Sequence, residues 1–565
     1  VTADAARRLP RWVPWLLMIA YVLPGFVGRD PWRGDDLNAF AVMLDMAHGG
    51  PWWTPQVLGE AAKTLAWLPY WLGAWAMQAL PLPGALAARV PFIALLGLTL
   101  AATWYATYRL ACHPGAQPLR PAFGDDVPPG DYARALADGA LLGLVATLGL
   151  ARLAHEIAPS AAQLAFGAGL FYAVSLGLRA QAPQPARAAW EPLALWWLSA
   201  WGWALSGAPG LMALVSCAGL VWWRRAGVPW PRLWIAALGS IAAALAVWLL
   251  AAAAERATDL WRPYWHVWGN ATAWVDGLRQ LAWFWWPTAP FALWTLWRWR
   301  GRWREAHIGW PATVVALVLL VTLHDGGDER TLLHALPPLA TLAAFALPTL
   351  RRGVNALIDW FAVLFFTGAA VLIWLIWVAM QTGVPPKPAA NVARLVPGFE
   401  PTVEVALLLP AMAMSAAWLG VVLWRLGRHA PALWKGLVLS ASGVTLNWVL
   451  LMTLWLPLLD WGLGQAPVSR RIAALIPAGD CVLVHGLDAA RIAGLQYHGG
   501  LTVRRVTHPD ADACRWLVAN PADFPGLARA IDLAGWQLRT EVPRLRENRE
   551  KWLVFERVER ADAAL

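Results

Sequence analysis

Long apolar runs alternate with short polar connections over the first 460 or so positions, and then the pattern changes. A hydrocarbon core about 30 Å thick needs about 20 mostly apolar residues per helix. On that criterion helices are expected near 11–27, 89–110, 136–153, 160–178, 189–206, 209–223, 232–253, 280–297, 311–323, 331–348, 355–380, 402–424 and 434–458, thirteen in all. A fourteenth run, 64–80, is apolar enough to compete. From about 465 onward the runs shorten to "CVLVHG", "LTVRRV", "CRWLVA" and "KWLVFERV", with helix-like "DAARIAGLQY" and "FPGLARAIDLAG" between them. Strands alternating with helices predict a small α/β domain over 465–565, following a membrane domain over 1–464. The fold class is therefore a polytopic α-helical membrane protein with a C-terminal α/β domain.

Charge decides the fate of the fourteenth run. If 64–80 does not span, then Arg7, Arg8 and Arg11 share a side with Arg109, Arg120 and Arg134, with Arg224, Arg225 and Arg232, with the arginines of 298–304, and with Arg425, Arg428 and Lys435. That side is cytoplasmic by the positive-inside rule. Counting 64–80 as a span would put all the later clusters outside, so it reads as a helix lying in or re-entering the outer interface. An odd number of spans then carries the C-terminal domain to the far side. The N-terminal run has basic flanks but no small-residue cleavage site before "DPW", and it reads as an uncleaved first span.

Composition narrows the function. With 59% hydrophobic and 14% charged residues, the chain is too apolar for a polar-shelled soluble protein. Its net charge of +10 sits in short clusters between apolar runs, which is a topology signal and not a nucleic-acid footprint. The 43 tryptophans suit headgroup depth. No phosphate-binding loop, dinucleotide-binding glycine fingerprint or H-E-x-x-H spacing occurs, which argues against ATP-driven transport and nicotinamide chemistry. Of the four cysteines, Cys112 and Cys217 lie at or within apolar segments and read as inert. Cys481 and Cys514 lie in the polar tail, where an oxidising compartment would allow a disulfide.

The outer side gathers acids and bases that topology does not require. The first outer loop, 28–88, carries Asp30, Arg33, Asp35, Asp36, Glu60 and Lys63. Arg152, His155 and Glu156 follow the third span, and Arg256, Arg262, Tyr264 and His266 follow the seventh. Asp325, Asp328, Glu329, Arg330 and His334 form another group, and Lys387 with Arg394 a last one. Ionisable groups at a membrane edge are costly unless hydrated or paired, so their concentration at one face predicts a hydrated cavity. Carboxylates there can orient or deprotonate a nucleophile, and cations can clamp a phosphate. Singly, Asp30, Asp325 and Asp328 also read as solvated loop acids, and the histidines as interfacial hydrogen-bonding groups. Adjacent Asp35 and Asp36 repel if both are ionised, so a cation is expected beside them.

The loop "GRDPWRGDDLNAFAVMLDMAHGGPWWTPQVLGEAAKTLAWLPYWLGAW" resembles the first periplasmic loop of the GT-C glycosyltransferases that use polyprenyl-phosphate sugars, the aminoarabinose transferase (ArnT-like) and protein O-mannosyltransferase group. Asp30, Pro31 and Trp32 match its D-P-W, Asp35 falls on its essential carboxylate, and Asp36 replaces its glutamate. Trp53, Pro55, Leu58, Gly59 and Glu60 supply the residue types of its W-x-x-P-x-L-x-G-E at shifted spacing, and "DERTLLHALPPLA" resembles its later charged segment. Two departures stand out. The family's E-K pair falls on Thr64 and Leu65, leaving Lys63 as a displaced substitute, and Ser160 occupies the expected position of a second acid, leaving Glu156 one helical turn earlier.

The resemblance implies a GT-C fold with about thirteen transmembrane helices in a bacterial inner membrane, N-terminus cytoplasmic and C-terminal domain periplasmic. It implies a monomer that takes a lipid-linked sugar donor on undecaprenyl phosphate and a lipid or glycan acceptor, lipid A or another envelope glycan, and that requires no cofactor; a divalent metal is admitted but not indicated. Asp35, Asp36 and Glu156 are the expected catalytic residues. Glu60, Lys63, Arg256, Arg262, Tyr264, Arg330 and Lys387 are expected to hold the donor. A lipid or glycan flippase and a divergent non-catalytic member remain the competing readings.

Overall fold

The computed structural model describes residue 10 and residues 12–32, 34–117, 127–178, 186–261, 271–426, 433–543 and 551–558. Every expected apolar segment falls on helix, but not as thirteen uniform rods. Among the described residues, eight helices are both long and apolar enough to cross a membrane, from Gly84–Ala111 to Lys435–Leu454. The others are shorter or broken. The first is helical only over Trp12–Val22, because Pro24 and left-handed Gly25 turn the chain before the expected end at 27. The expected 280–297 segment divides into Ala271–Phe284 and Thr288–Arg298 around Pro287, which has no N–H to give the ladder. The expected 136–153 segment divides at Thr147 into Pro129–Ala146 and Leu148–Leu153.

Burial sorts the helices into an inner and an outer set. Pro159–Gly177 and Lys435–Leu454 are largely buried among neighbours, whereas Arg352–Thr382 and Val405–Leu426 turn most of their apolar side chains outward, as lipid-facing helices must. Close approach in the inner set depends on small residues. A Cβ at Gly202 would lie 2.3 Å from the Phe166 ring.

The loop after the first helix builds the framework of the site. Helix Asp35–Ala47 is followed by strands β1 (Gln56–Val57) and β2 (Glu60–Ala61), a tight antiparallel hairpin. Its two turn residues, Leu58 and Gly59, have φ of 49° and 83°, a left-handed pair that suits a two-residue turn but strains Leu58. Asp45 Oδ1 accepts from Leu58 N at 3.2 Å and helps hold that conformation. Helix Leu68–Ala79 follows, its 12 residues reaching about 18 Å.

The C-terminal sheet contains β3 (Cys481–His485), β4 (Thr502–Arg505), β5 (Trp516–Ala519), β6 (Trp536–Pro543) and β7 (Lys551–Arg557) in the order β4-β3-β5-β7-β6. β3 runs parallel to β4 and β5, and the β7 pairings are antiparallel. Four strands coincide with the four runs singled out in the sequence. β6, with its polar "WQLRTEVP", does not stand out there. Cys481 and Cys514 are joined by a disulfide with Cα atoms 5.0 Å apart, tying the start of β3 to the approach to β5. Helix Ala489–Tyr497 crosses from β3 to β4 and docks on the loop helix, with the Phe40 and Tyr497 rings 5.1 Å apart and the Tyr497 hydroxyl accepting from Ala85 N at 3.1 Å.

Candidate active site

Neighbouring helix residues point about 100° apart, and Asp35 and Asp36 therefore enter different environments from the first turn of one helix. Gly34, with φ of 99°, delivers the chain to that turn. Asp36 is 1% exposed. Its Oδ2 accepts from Arg29 Nη2 at 2.6 Å and Trp32 N at 3.0 Å, its Oδ1 accepts from Ile157 N at 2.8 Å, and Arg89 Nη2 lies 3.7 Å away. Burial pushes this carboxyl up, but Arg29, then Arg89 and the two backbone N–H groups outweigh it and hold it below the usual range. Arg29 also donates to Gly25 O and His155 O and lies 4.1 Å over the Trp32 ring. Asp36 was expected to assist catalysis. Instead it is sealed in a buried ion cluster that fixes the loop against the 154–158 turn.

Asp35 turns toward water and meets Arg330. Its Oδ2 lies 2.7 Å from Arg330 Nε, Glu156 Oε2 lies 2.8 Å from Nη2, and Ser160 Oγ accepts from Nη1 at 3.0 Å. One planar guanidinium thus ties together three residues far apart in sequence, using the fork of donors only arginine offers. The position of Arg330 follows from Asp328, whose side chain caps the short helix Glu329–Leu332 by accepting from Arg330 N at 3.1 Å. Burial pushes the Glu156 carboxyl above its ordinary range, with Arg330 opposing and Asp36 adding to the rise.

Beside this centre opens a narrow cleft lined by Asp35, Asn38, Glu60, Lys63, Tyr70 and Asp488, among others. Lys63 is exposed there and makes no ion pair with a described residue. Glu60 lines the cleft but pairs with Arg505 of β4, which also donates to Leu58 O at 3.1 Å, so the C-terminal domain grips the hairpin. Asp488 is the residue sequence reasoning missed. It caps helix Ala489–Tyr497, its side chain accepting from Arg491 N at 3.0 Å, and "DAARIAG" signals that cap but not its place in the cleft that Asp35 lines. On the other flank, Glu329 pairs with Arg152 at 2.8 Å on the rim of a broader open cleft shared with Arg279, Trp283 and Phe284.

Two expected donor-binding cations are employed elsewhere. Arg256 donates to Ala62 O at 2.7 Å and pairs with Asp259 at 2.7 Å, so it holds the backbone next to Lys63 and does not line the cleft. Lys387 is exposed on helix Pro386–Leu395 and is not among the cleft-lining residues, because that helix belongs to a connection packed on Arg352–Thr382. Arg262 and Tyr264, like Arg33 and His266, lie outside the described residues. His155 is a packing residue. Its ring is 4.4 Å from Trp448 and its Nε2 2.9 Å from Tyr21 O, and burial lowers its pKa to about 3. Among the described residues, the group with metal-ligand spacing is His113, Glu305 and His307, beyond the other end of helix Gly84–Ala111.

No family model and no curated protein matches the sequence. The fold does have counterparts. The crystal structure of ArnT from Cupriavidus metallidurans in the apo state matches over 96% of this chain and 97% of its own, with a TM-score of 0.57 at 14% identity. The structure of ArnT from Cupriavidus metallidurans bound to undecaprenyl phosphate matches over 96% of both chains, with a TM-score of 0.61 at the same 14% identity. The chain is thus a polytopic membrane protein sharing the GT-C fold of ArnT, with an α/β domain at its C-terminal end.

Proposed function

We propose that this protein is a membrane glycosyltransferase that moves a sugar from a polyprenyl phosphate, in bacteria undecaprenyl phosphate, to an acceptor at the outer face of the inner membrane. The observation that carries the reading is the Arg330 centre, where one guanidinium binds Asp35 and Glu156 at the mouth of a cleft lined by a lysine that makes no ion pair with a described residue. The fold shared with a protein solved with undecaprenyl phosphate supports it. So does the concentration of ionisable groups at one face, since a flippase would need them near the midplane. In this reading thirteen helices span, the N-terminus is cytoplasmic, and the domain from 465 is periplasmic, where its disulfide is at home.

Chemically, Arg330 is held by carboxylates until a donor arrives. The phosphate of a lipid-linked sugar presents the same bidentate anionic face, so it competes for the guanidinium with Lys63 as second cation. Exchange frees Asp35 to orient the acceptor nucleophile for in-line attack on the anomeric carbon, or to take its proton when the nucleophile is a hydroxyl. The leaving polyprenyl phosphate keeps the bonding electrons and stays paired with Arg330. Glu156 keeps the other edge of the same guanidinium, 2.8 Å from Nη2. Ser160, in place of an acid, leaves the centre one negative charge lighter.

The acceptor is a lipid A phosphate or another envelope glycan. Mass spectrometry of lipid A and other envelope glycans from cells making this chain or its Asp35→Asn form tests the reading. A sugar added only by the unaltered chain supports it, and identical envelopes refute it.

A further inference from the structure

Helix Gly84–Ala111 has 28 residues and is about 42 Å long. Near its first turns Arg89 joins the Asp36 cluster, and just past its last turn stands His113. Helix Ala306–His324 runs between the same two levels, with His307 at its start and the segment bearing Asp328 and Arg330 after its end. At the end remote from the cleft, His113, Glu305 and His307 bring one ligand atom each to within 4.8 Å of one another.

A second, independent feature makes this more than a chance grouping. His307 is completely buried, yet neither of its ring nitrogens has a hydrogen-bond partner among the described residues. Glu305 Oε2 is likewise buried and unbonded, 3.5 Å from His307 Nδ1. Buried polar atoms without partners cost free energy and call for an explanation, an unobserved ion among them. Aromatic rings cover the imidazole, Trp299 at 5.4 Å and Phe345 at 5.3 Å, and the carboxylate beside it is Glu305. A Cβ at Gly115 would come within 1.9 Å of Glu305 Oε2, so the glycine leaves room for this carboxylate beside His113. Glu305 Oε1 faces Arg302 at 3.8 Å, which leaves Oε2 for the histidines.

From this geometry we infer a divalent transition-metal site, with zinc the best chemical match, at the membrane face opposite the cleft. Two imidazoles and one carboxylate are a donor set suited to zinc, with a fourth position left for water. Bonds of about 2.0–2.1 Å require donor atoms about 3.3 Å apart, a contraction that side-chain rotation can supply. The weak Gly115 N–H contact to His113 Nδ1, at 3.2 Å, would give way if that nitrogen ligates. The ion would clamp the connection ahead of Ala306–His324 to the turn after Gly84–Ala111, fixing two helices that both lead to the candidate active site. The inference does not depend on the proposed transfer reaction.

The test uses the full chain without a histidine tag, in nanodiscs, stripped with a chelator, incubated with Zn²⁺ alone and freed of excess. Elemental mass spectrometry should find about one zinc per chain. Glu305→Gln and His113→Gln, at the half-exposed side of the group, should each weaken retention at least ten-fold while eluting as the unaltered protein does. Cobalt in place of zinc should give the visible absorption of a low-symmetry site, lost in His307→Gln. Chelation should lower the melting temperature of the unaltered chain, and Zn²⁺ should restore it. No zinc retained by the unaltered chain, or zinc undiminished in the Glu305 and His113 variants, would overturn the inference. A melting temperature indifferent to the metal would overturn the clamp.

Discussion

Two arginine–carboxylate clusters stand back to back on the loop helix, one dry and one wet. Around Asp36 every group is buried and the arginines come from neighbouring elements, Arg29 and Arg89. Around Asp35 the pair with Arg330 is partly exposed and opens on a cleft. The same chemistry serves opposite ends, because a buried charge must be permanently matched whereas a hydrated one can change partners. A substrate phosphate could not enter the Asp36 cluster without unfolding it. It can enter the Asp35 cluster by exchange.

This contrast breaks most visibly at Asp36. Asp36→Asn strands Arg29 and Arg89 and should cost about 3–5 kcal/mol, seen as a large drop in melting temperature and in folded yield. Arg330→Gln should leave folding nearly intact while lowering sugar transfer on the order of 10²-fold or more, the usual effect of removing a donor from developing charge, measured with a lipid-phosphate sugar in nanodiscs.

A third test sharpens the dry side. Asp460, beyond the last expected span, accepts from Trp32 Nε1 at 2.6 Å, and burial above all pushes its pKa up to about 7. An acid whose folded value is raised binds its proton more tightly in the folded state, so stability is greatest below the unfolded value of roughly 4 and declines as pH rises toward 7. Asp460→Asn should remove this decline, read as a flatter melting temperature against pH. The smallest effect belongs to Arg505→Ala. Its pair with exposed Glu60 is worth less than about 1 kcal/mol, so the melting temperature should barely move, while limited proteolysis near the hairpin should quicken as the C-terminal domain loosens its grip.

Much of this was legible in the sequence, for identifiable reasons. Helix periods and arginine clusters are written locally, and the alternating apolar runs of β3 and β5 gave away a sheet, whereas edge strand β6 is too polar to show. Pro287 is visible in the sequence, but the break at Thr147 is not, since there Leu148 N donates to Trp286 O, far away in sequence, at 3.0 Å. The acids and Arg330 could be placed at one face, yet which of two adjacent aspartates faces the cleft depends on where Arg29, Arg89 and the Ile157 N–H converge. Asp488 could not be foreseen, because domain docking brings it to the cleft lined by Asp35 from more than 400 positions away.

The most direct test of the proposed division of labour is single-turnover sugar transfer by purified Asp35→Asn protein in nanodiscs, with donor binding measured on the same sample. The variant should be folded, still bind the polyprenyl-phosphate sugar and transfer on the order of 10²–10⁴-fold more slowly, the range for a lost general base or positioning carboxylate. Transfer within a few-fold of the unaltered rate would contradict that division of labour.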